Sequence, residues 1–277
     1  MIDFAKFKAI STANRRRARG FTLTEAIMVI VITGILASMV AVFIQKPVQG
    51  FFDTARRAAL VDAADTALRR ISRDFREALP NSVRVSGTAL EFLHVRSAGR
   101  YREQVAPGGV GDPLVFNSAD TSFDVLGPAV SVQSGDSVVV YNLGMTGADA
   151  YEGTSTSRRV AAAPFGASLA NVAITSATAF PFASPARRFQ IVDTPVSYVC
   201  SGTQMRRYSG YAILTVQPVP PAVSGALIAD KIAAGGCSFA YLTGPSQRGA
   251  LITLSLNLTD SVETVSLIYQ VHVNNVP

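Results

Sequence analysis

The chain has 277 residues, which is enough for one sizeable domain with or without an appendage. Its formal net charge is +6, but residues 1–20 hold six basic side chains and one acid, so the rest of the chain carries a net charge of only +1. A near-neutral body argues against nucleic acid as a partner. With two histidines and two cysteines in the whole chain, the sequence predicts no catalytic residues, no metal site and no cofactor.

An uncharged apolar segment follows the basic start. Residues 26–44 would span about 28 Å as a helix, which is close to the hydrocarbon thickness of a bilayer. A secretory signal peptide would have a shorter apolar region with its small-residue cleavage site after it, whereas here Gly20 comes before it. The arginines within residues 15–19 predict a cytoplasmic N-terminus, a single pass through the inner membrane and a periplasmic head.

A second helical pattern continues beyond the membrane segment. Pro47 and Gly50 predict a kink or a break, and Pro80 and Asn81 predict the end of the helix. Between them, apolar residues recur at steps of three and four, as on one face of an amphipathic helix. This apolar stripe, expected to pack on the head, consists of Val61, Ala64, Leu68, Ile71, Phe75 and Leu79.

Beyond residue 81 the sequence is typical of short β-strands joined by turns. Glycine- and proline-containing turns are predicted at residues 87–88, 107–109, 134–136 and 244–245. Residues 144–186 are rich in small residues and are interpreted as a long surface excursion with one strand at most. The predicted strands are residues 82–86, 89–95, 113–117, 122–126, 129–133, 137–143, 188–193, 196–200, 211–217, 237–243, 251–258 and 265–273.

The segment Arg19-Gly20-Phe21-Thr22-Leu23-Thr24-Glu25 stands directly before the apolar run. It resembles the leader junction of type IV pilins and of type II secretion pseudopilins. The resemblance implies cleavage after Gly20 by a membrane-embedded prepilin peptidase and methylation of the new Phe21 amine by the same enzyme. It also implies an α+β fold, with a long N-terminal helix packed on an antiparallel β-rich head.

Four segments are expected on this basis. They are a cleaved basic leader over residues 1–20, a transmembrane and filament-core helix over 21–46, an amphipathic helix over 47–80 and a β-rich head over 81–277. The expected partners are the prepilin peptidase, other minor and major pilins, the inner membrane and the pilus assembly platform.

Glu25 is a carboxylate at the start of the apolar span. A charge inside a bilayer costs about 3 kcal/mol on insertion scales, so such a group is expected to be paired or functional. Cleavage after Gly20 would create a cation, the Phe21 amine, about one helical turn away. We expect Glu25 to pair with the Phe21 amine of an adjacent subunit; the alternative is a glutamate that extends to the interface without a partner.

The remaining candidates lie in the head. Cys200 and Cys237 would be in an oxidising compartment, which favours a disulfide over two free buried thiols. His94 and His272 are interpreted as ordinary strand residues. Three arginine pairs could form a basic stripe for DNA or an anionic glycan, but solvated surface is the favoured interpretation; the pairs are Arg158-Arg159, Arg187-Arg188 and Arg206-Arg207.

The C-terminal part supports a narrower resemblance. Residues 187–200, 206–211, 237–239 and 270–277 are similar to the MshO family of MSHA pilus biogenesis proteins. This implies a structural minor pilin and not an enzyme. A large head is easier to place at or near the filament tip, as an initiator or cap. Two alternatives remain: a J-type minor pseudopilin of type II secretion, and a tip adhesin or DNA-binding pilin.

Overall fold

The structure is a computed structural model that describes residues 20–153, 156–175, 178–243, 249–261 and 263–277. Within these ranges one long helix is followed by antiparallel strands, so the predicted α+β fold is confirmed. The chain divides into two compact units, with the division between Thr54 and Ala55.

The helix α1 runs from Leu23 to Arg76. Pro47 and Gly50 predicted a kink or a break, and no break occurs, because α1 continues through both residues. A proline removes one backbone N–H donor, here the one that would bond the Phe43 carbonyl four residues earlier. This is a small loss beside the bonds retained on both sides of it.

In the first unit, α1 exposes its large apolar side chains. Those from Leu23 to Phe52 are all exposed, and Leu23 reaches 80 %. Among the described residues, α1 is the one helix long and apolar enough to cross a membrane. This agrees with the predicted membrane anchor.

In the second unit, one face of α1 is buried in the head. Four members of the predicted apolar stripe are buried in the helix: Ala64, Leu68, Ile71 and Phe75. Val61 is 40 % exposed, and the adjacent Leu60 is buried instead. Leu79 is buried, but it lies beyond the helix end. The buried helix residues are Leu60, Ala64, Ala67, Leu68, Ile71, Ser72 and Phe75.

The helix ends four residues before Pro80, which is earlier than predicted. The following backbone bonds to a strand instead of continuing the helix. Leu79 N–H donates to the Leu93 carbonyl at 2.8 Å, and Val95 N–H donates to the Glu77 carbonyl at 2.7 Å. These bonds satisfy backbone groups that a longer helix would have used internally.

Fourteen strands follow α1 in the described part of the chain. They are β1 (Arg84–Ser86), β2 (Ala89–Tyr101), β3 (Ser122–Leu126), β4 (Val130–Val132), β5 (Ser137–Val139), β6 (Arg158–Ala162), β7 (Gly166–Leu169), β8 (Asn171–Thr175), β9 (Arg188–Ser201), β10 (Gln204–Ser209), β11 (Ala226–Ala229), β12 (Ile232–Thr243), β13 (Gly249–Asp260) and β14 (Glu263–Asn274).

Six of these strands close into a ring. The pairings run β2–β3–β8–β6–β5–β9 and return from β9 to β2. Apolar side chains fill the interior, among them Tyr101, Phe123, Phe189 and Ile191, none of which is exposed. Such closure leaves fewer free sheet edges than an open sheet would have.

The other ends of β2 and β9 extend out of the ring toward α1. There β1, β10 and β11 widen the sheet, and the separate sheet β12–β13–β14 completes the core. The buried face of α1 packs among Phe92 of β2, Tyr198 of β9 and Leu256 of β13. Each fully buried leucine, isoleucine or phenylalanine contributes about 1.5–3 kcal/mol to this packing.

Several strand predictions were wrong. Residues 113–117 are not a strand; Leu114 N–H donates to the Arg102 carbonyl at 2.8 Å, but Val115 N–H donates to the Asp120 carboxylate at 2.8 Å instead of to a neighbouring strand. Residues 211–217 are not a strand either, because the Arg84 guanidinium donates hydrogen bonds to two of their carbonyls, those of Thr215 at 2.7 Å and Leu214 at 2.9 Å. The single surface excursion expected over 144–186 contains three strands, β6, β7 and β8.

Two polar or short strands, β10 and β11, were missed, and the two runs predicted within 188–200 form the single strand β9. Three of the four predicted turns are confirmed. Gly87, Gly108 and Gly135 have positive φ in them, which glycine adopts without steric cost. The turn predicted at residues 244–245 lies outside the described residues.

Candidate functional site at the N-terminal motif

Thr22 caps the N-terminal end of α1. Its hydroxyl oxygen accepts a hydrogen bond from Glu25 N–H at 3.3 Å, and its carbonyl accepts the first helical bond, from Ala26 N–H, at 3.1 Å. A threonine at this position satisfies one of the four N–H groups that have no partner inside a helix. The helix therefore begins immediately after the predicted cleavage site.

Gly20 and Phe21 precede this cap and are not helical. Both are exposed, and Phe21 reaches 72 %. A Cβ atom added at Gly20 would meet nothing within 4 Å, so the described chain does not itself require glycine there. The leader residues 1–19 lie outside the described residues.

Glu25 lies in the first turn of α1 and is exposed. A carboxylate at a helix N-terminus is stabilised by the helix dipole, by about 0.3–1 kcal/mol. Thr22 and Glu25 have the T-x-x-E spacing of a capping box. Sequence reasoning treated Glu25 as an assembly residue only and overlooked this spacing, of which the structure shows the bond from Glu25 N–H to the Thr22 hydroxyl.

The predicted disulfide between Cys200 and Cys237 is present, with Cα atoms 6.4 Å apart. It joins the end of β9 to β12 and so links the two larger sheets of the head. Both sulfurs are held in a covalent bond inside the protein, which makes this feature structural.

The favoured interpretation of the arginine pairs as solvated surface is wrong for two of these arginines. Arg159 is fully buried; its guanidinium donates to the Thr156 carbonyl and lies 4.4 Å from the Phe180 ring centroid. Arg207 bonds Asp74 of α1 at 2.6 Å. Burial alone would lower the pKa of Arg207, but the bond to Asp74 raises it. These two side chains hold the fold together and leave no continuous basic stripe.

His94 is also more than an ordinary strand residue. Its Nδ1 lies 2.8 Å from the Asp193 carboxylate and its Nε2 lies 2.9 Å from the Glu77 carboxylate. The bond to Asp193 raises the pKa of His94; burial opposes this, and the bond to Glu77 adds to it. Arg96 bonds both Asp193 and Asp136. No local motif could have revealed this network, because its acids are 17 and 99 residues away from His94.

Neither histidine nor any other side chain forms a metal centre in the described ranges, where no three His, Cys, Asp or Glu side chains are grouped as around an ion. His272 lies exposed on β14. The candidate site at the N-terminus is therefore the start of an apolar helix, which is exposed, is capped by Thr22 and has one carboxylate, that of Glu25.

An exposed apolar helix of this length, capped next to a glutamate and followed by a β-rich head, is the arrangement expected of a type IV pilin-like subunit. Residues 15–41 match the family model described as the prokaryotic N-terminal methylation motif. That motif indicates a type IV pilin-like or pseudopilin subunit, which is a class of structural proteins. No curated protein and no solved structure matches the chain.

Proposed function

We propose that the chain is a minor type IV pilin, processed by prepilin peptidase between Gly20 and Phe21, methylated on the Phe21 amine and assembled into a filament. The observation that carries this proposal is the methylation motif at the exposed start of an apolar helix. The accessible, non-helical Gly20-Phe21 bond supports cleavage at that point, because a peptidase needs an extended segment.

The test of processing is the mature N-terminus of the protein in cells that contain an active prepilin peptidase. Intact mass and N-terminal sequencing are expected to show a chain that starts at a methylated Phe21. Gly20→Val should leave the precursor uncut. Gly34→Val is the matched control, because Gly34 also has open space around its Cβ position but lies inside α1. A wild-type protein that still begins at Met1 would contradict the proposal.

Assembly is proposed to use Glu25, as partner of the Phe21 amine of an adjacent subunit. Glu25→Gln removes the charge but keeps a residue that suits a capping box, whereas Glu25→Leu removes both. We expect both variants to insert and to be cleaved, and to be depleted about equally from sheared filaments relative to the membrane. Depletion of Glu25→Leu alone would assign the effect to the cap. Normal incorporation of both would refute the pairing.

Within this class of proteins, we propose that the chain is a subunit of the MSHA pilus and that it lies at or near the tip of the filament. The similarity of residues 187–200, 206–211 and 270–277 to the MshO family supports the first point, and the size of the head supports the second. Deletion of the gene should then reduce surface pili and leave type II secretion intact.

The second candidate is a J-type minor pseudopilin, which the same N-terminal motif supports equally well. It predicts the reverse phenotype, with lost secretion and normal pili. No enzymatic activity is proposed, since the motif belongs to structural subunits.

A further inference from the structure

A groove lies on the outer face of the strand ring, where β2, β3 and β9 adjoin. Its volume is about 430 Å³, and Arg100, Leu126, Pro128, Arg188 and Gln190 are among the residues that line it. A second groove of about 360 Å³ shares Arg100 and Leu126 with the first. The grooves are far from the N-terminal motif in sequence and belong to the second unit alone.

Arg100 and Arg188 are direct cross-strand partners in the antiparallel pair β2–β9. Their neighbours Tyr101 and Phe189 point into the buried core of the ring, so the alternation of the strands places both arginines on the outer face. Directly opposite residues have Cβ atoms about 4.5–5.5 Å apart, and two like charges at such positions destabilise a sheet. An anion placed between them would remove this repulsion.

Both guanidinium groups are available to a ligand. Arg100 and Arg188 are exposed, and neither side chain has a hydrogen bond or an ion pair with any residue that the structure describes. The adjacent Arg187 differs, because its Nε lies 2.7 Å from the Glu103 carboxylate. Guanidinium groups bind planar carboxylates and tetrahedral sulfates or phosphates through paired, charge-assisted hydrogen bonds.

Gln190 also lines the groove. Because Gln190 follows Arg188 by two positions on β9, both side chains lie on the same face of the sheet. Gln190 is only 7 % exposed, and its Oε1 is buried without a hydrogen-bond partner among the described residues. A buried oxygen is out of reach of a ligand in the groove, so the two exposed arginines are the polar groups that a ligand would contact.

We infer that this groove binds an acidic oligosaccharide, with its carboxylate or sulfate group on the guanidinium groups of Arg100 and Arg188. The adjoining second groove gives room for more than one sugar unit. Leu126 and Pro128 offer apolar surface to the C–H face of a ring.

The same geometry disfavours DNA. Single-stranded nucleic acid is bound by exposed aromatic platforms along a basic channel, whereas the one aromatic residue that lines this groove, Phe189, is fully buried. Two available cations are also few for a polyanion that is held through many phosphates. The inferred site does not depend on filament assembly, so it can fail or succeed independently of the proposed function.

The test measures binding of labelled probes to the full-length protein in detergent micelles. The probes are trigalacturonate, which carries carboxylates; a heparin-derived tetrasaccharide, which also carries sulfates; neutral maltotriose; and a twelve-nucleotide single-stranded DNA. We expect saturable binding of at least one acidic saccharide and none of maltotriose. The trigalacturonate and heparin probes decide between carboxylate and sulfate as the preferred anion.

Two double variants locate the binding. The variant Arg100→Gln/Arg188→Gln should lose affinity by about tenfold or more, since it removes two charge-assisted contacts. Arg69→Gln/Arg70→Gln is the matched control, with the same loss of charge at two exposed positions of α1, and should bind as the wild type does. All four positions are exposed, so both variants are expected to fold.

Three results would overturn the inference. One is the absence of binding to both acidic saccharides at millimolar concentration. Another is an equal loss of affinity in the Arg69/Arg70 control, which would indicate bulk charge. The third is DNA binding as tight as saccharide binding with the same dependence on Arg100 and Arg188, which would indicate a general polyanion surface.

Discussion

The packing of α1 on the head can be tested with two apolar residues of the same helix. Ile71 is 1 % exposed in the core, whereas Val61 is 40 % exposed although its spacing placed it on the same predicted face. Ile71→Ala removes three carbon atoms, worth about 2.4 kcal/mol at 0.8 kcal/mol each. The cavity left behind brings the expected loss to about 3–4 kcal/mol.

Val61→Ala is the matched control and should change the free energy of unfolding by less than about 1 kcal/mol, as is usual at exposed positions. The assay is urea unfolding of the full-length protein in detergent, followed by the near-ultraviolet circular dichroism of its tyrosines, because the chain has no tryptophan. Equal losses in the two variants would refute the packing described here, as would a loss below about 1 kcal/mol for Ile71→Ala.

Three further predictions concern the head. Changing both Cys200 and Cys237 to serine should lower the free energy of unfolding by about 4 kcal/mol, because the loop they close spans 37 positions; a wild-type midpoint that does not change on reduction would contradict this. Arg207→Gln should cost about 2 kcal/mol by removing a charged hydrogen bond to Asp74. Arg206→Gln should cost less, since Arg206 donates to neutral acceptors, the Gln204 side chain and the Gly225 carbonyl. The pKa of His94 is raised in the folded state by its bonds to Asp193 and Glu77. The stability contributed by the protonated imidazole is therefore fully present below the unfolded pKa of about 6.5, and it is lost as the pH rises through the folded pKa. The urea midpoint of the wild type should therefore fall over that interval relative to His94→Gln, while His272→Gln, changed at an exposed position, should follow the wild type.

The long helix, the turns and most of the longer strands could be predicted because their signals are local. An uncharged run, a period of three to four residues and glycine-containing turns each act over a few neighbouring residues. The methylation motif is local in the same sense, and so is the T-x-x-E spacing that was overlooked. The Cys200–Cys237 disulfide could be predicted because the chain has two cysteines and the topology was expected to place both in an oxidising compartment.

The failures arose where distant side chains decide the backbone's partners. Arg84 bonds the carbonyls of Leu214 and Thr215, about 130 positions away, and keeps an apolar, β-branched run out of the sheet. Conversely, the small-residue stretch before residue 186 forms strands because Val172 and Ile174 fill the ring interior. Closure of that ring depends on pairings that no single segment shows.

The arginines show the same limit for function. Six arginines in three doublets look alike in sequence, yet Arg159 is buried, Arg207 is paired with Asp74 and Arg188 has no partner in the described chain. Arg188 is matched across the sheet by Arg100, which is not part of any doublet. Counting charges along the chain therefore could not locate this basic site, because the strand register determines which two cations lie side by side.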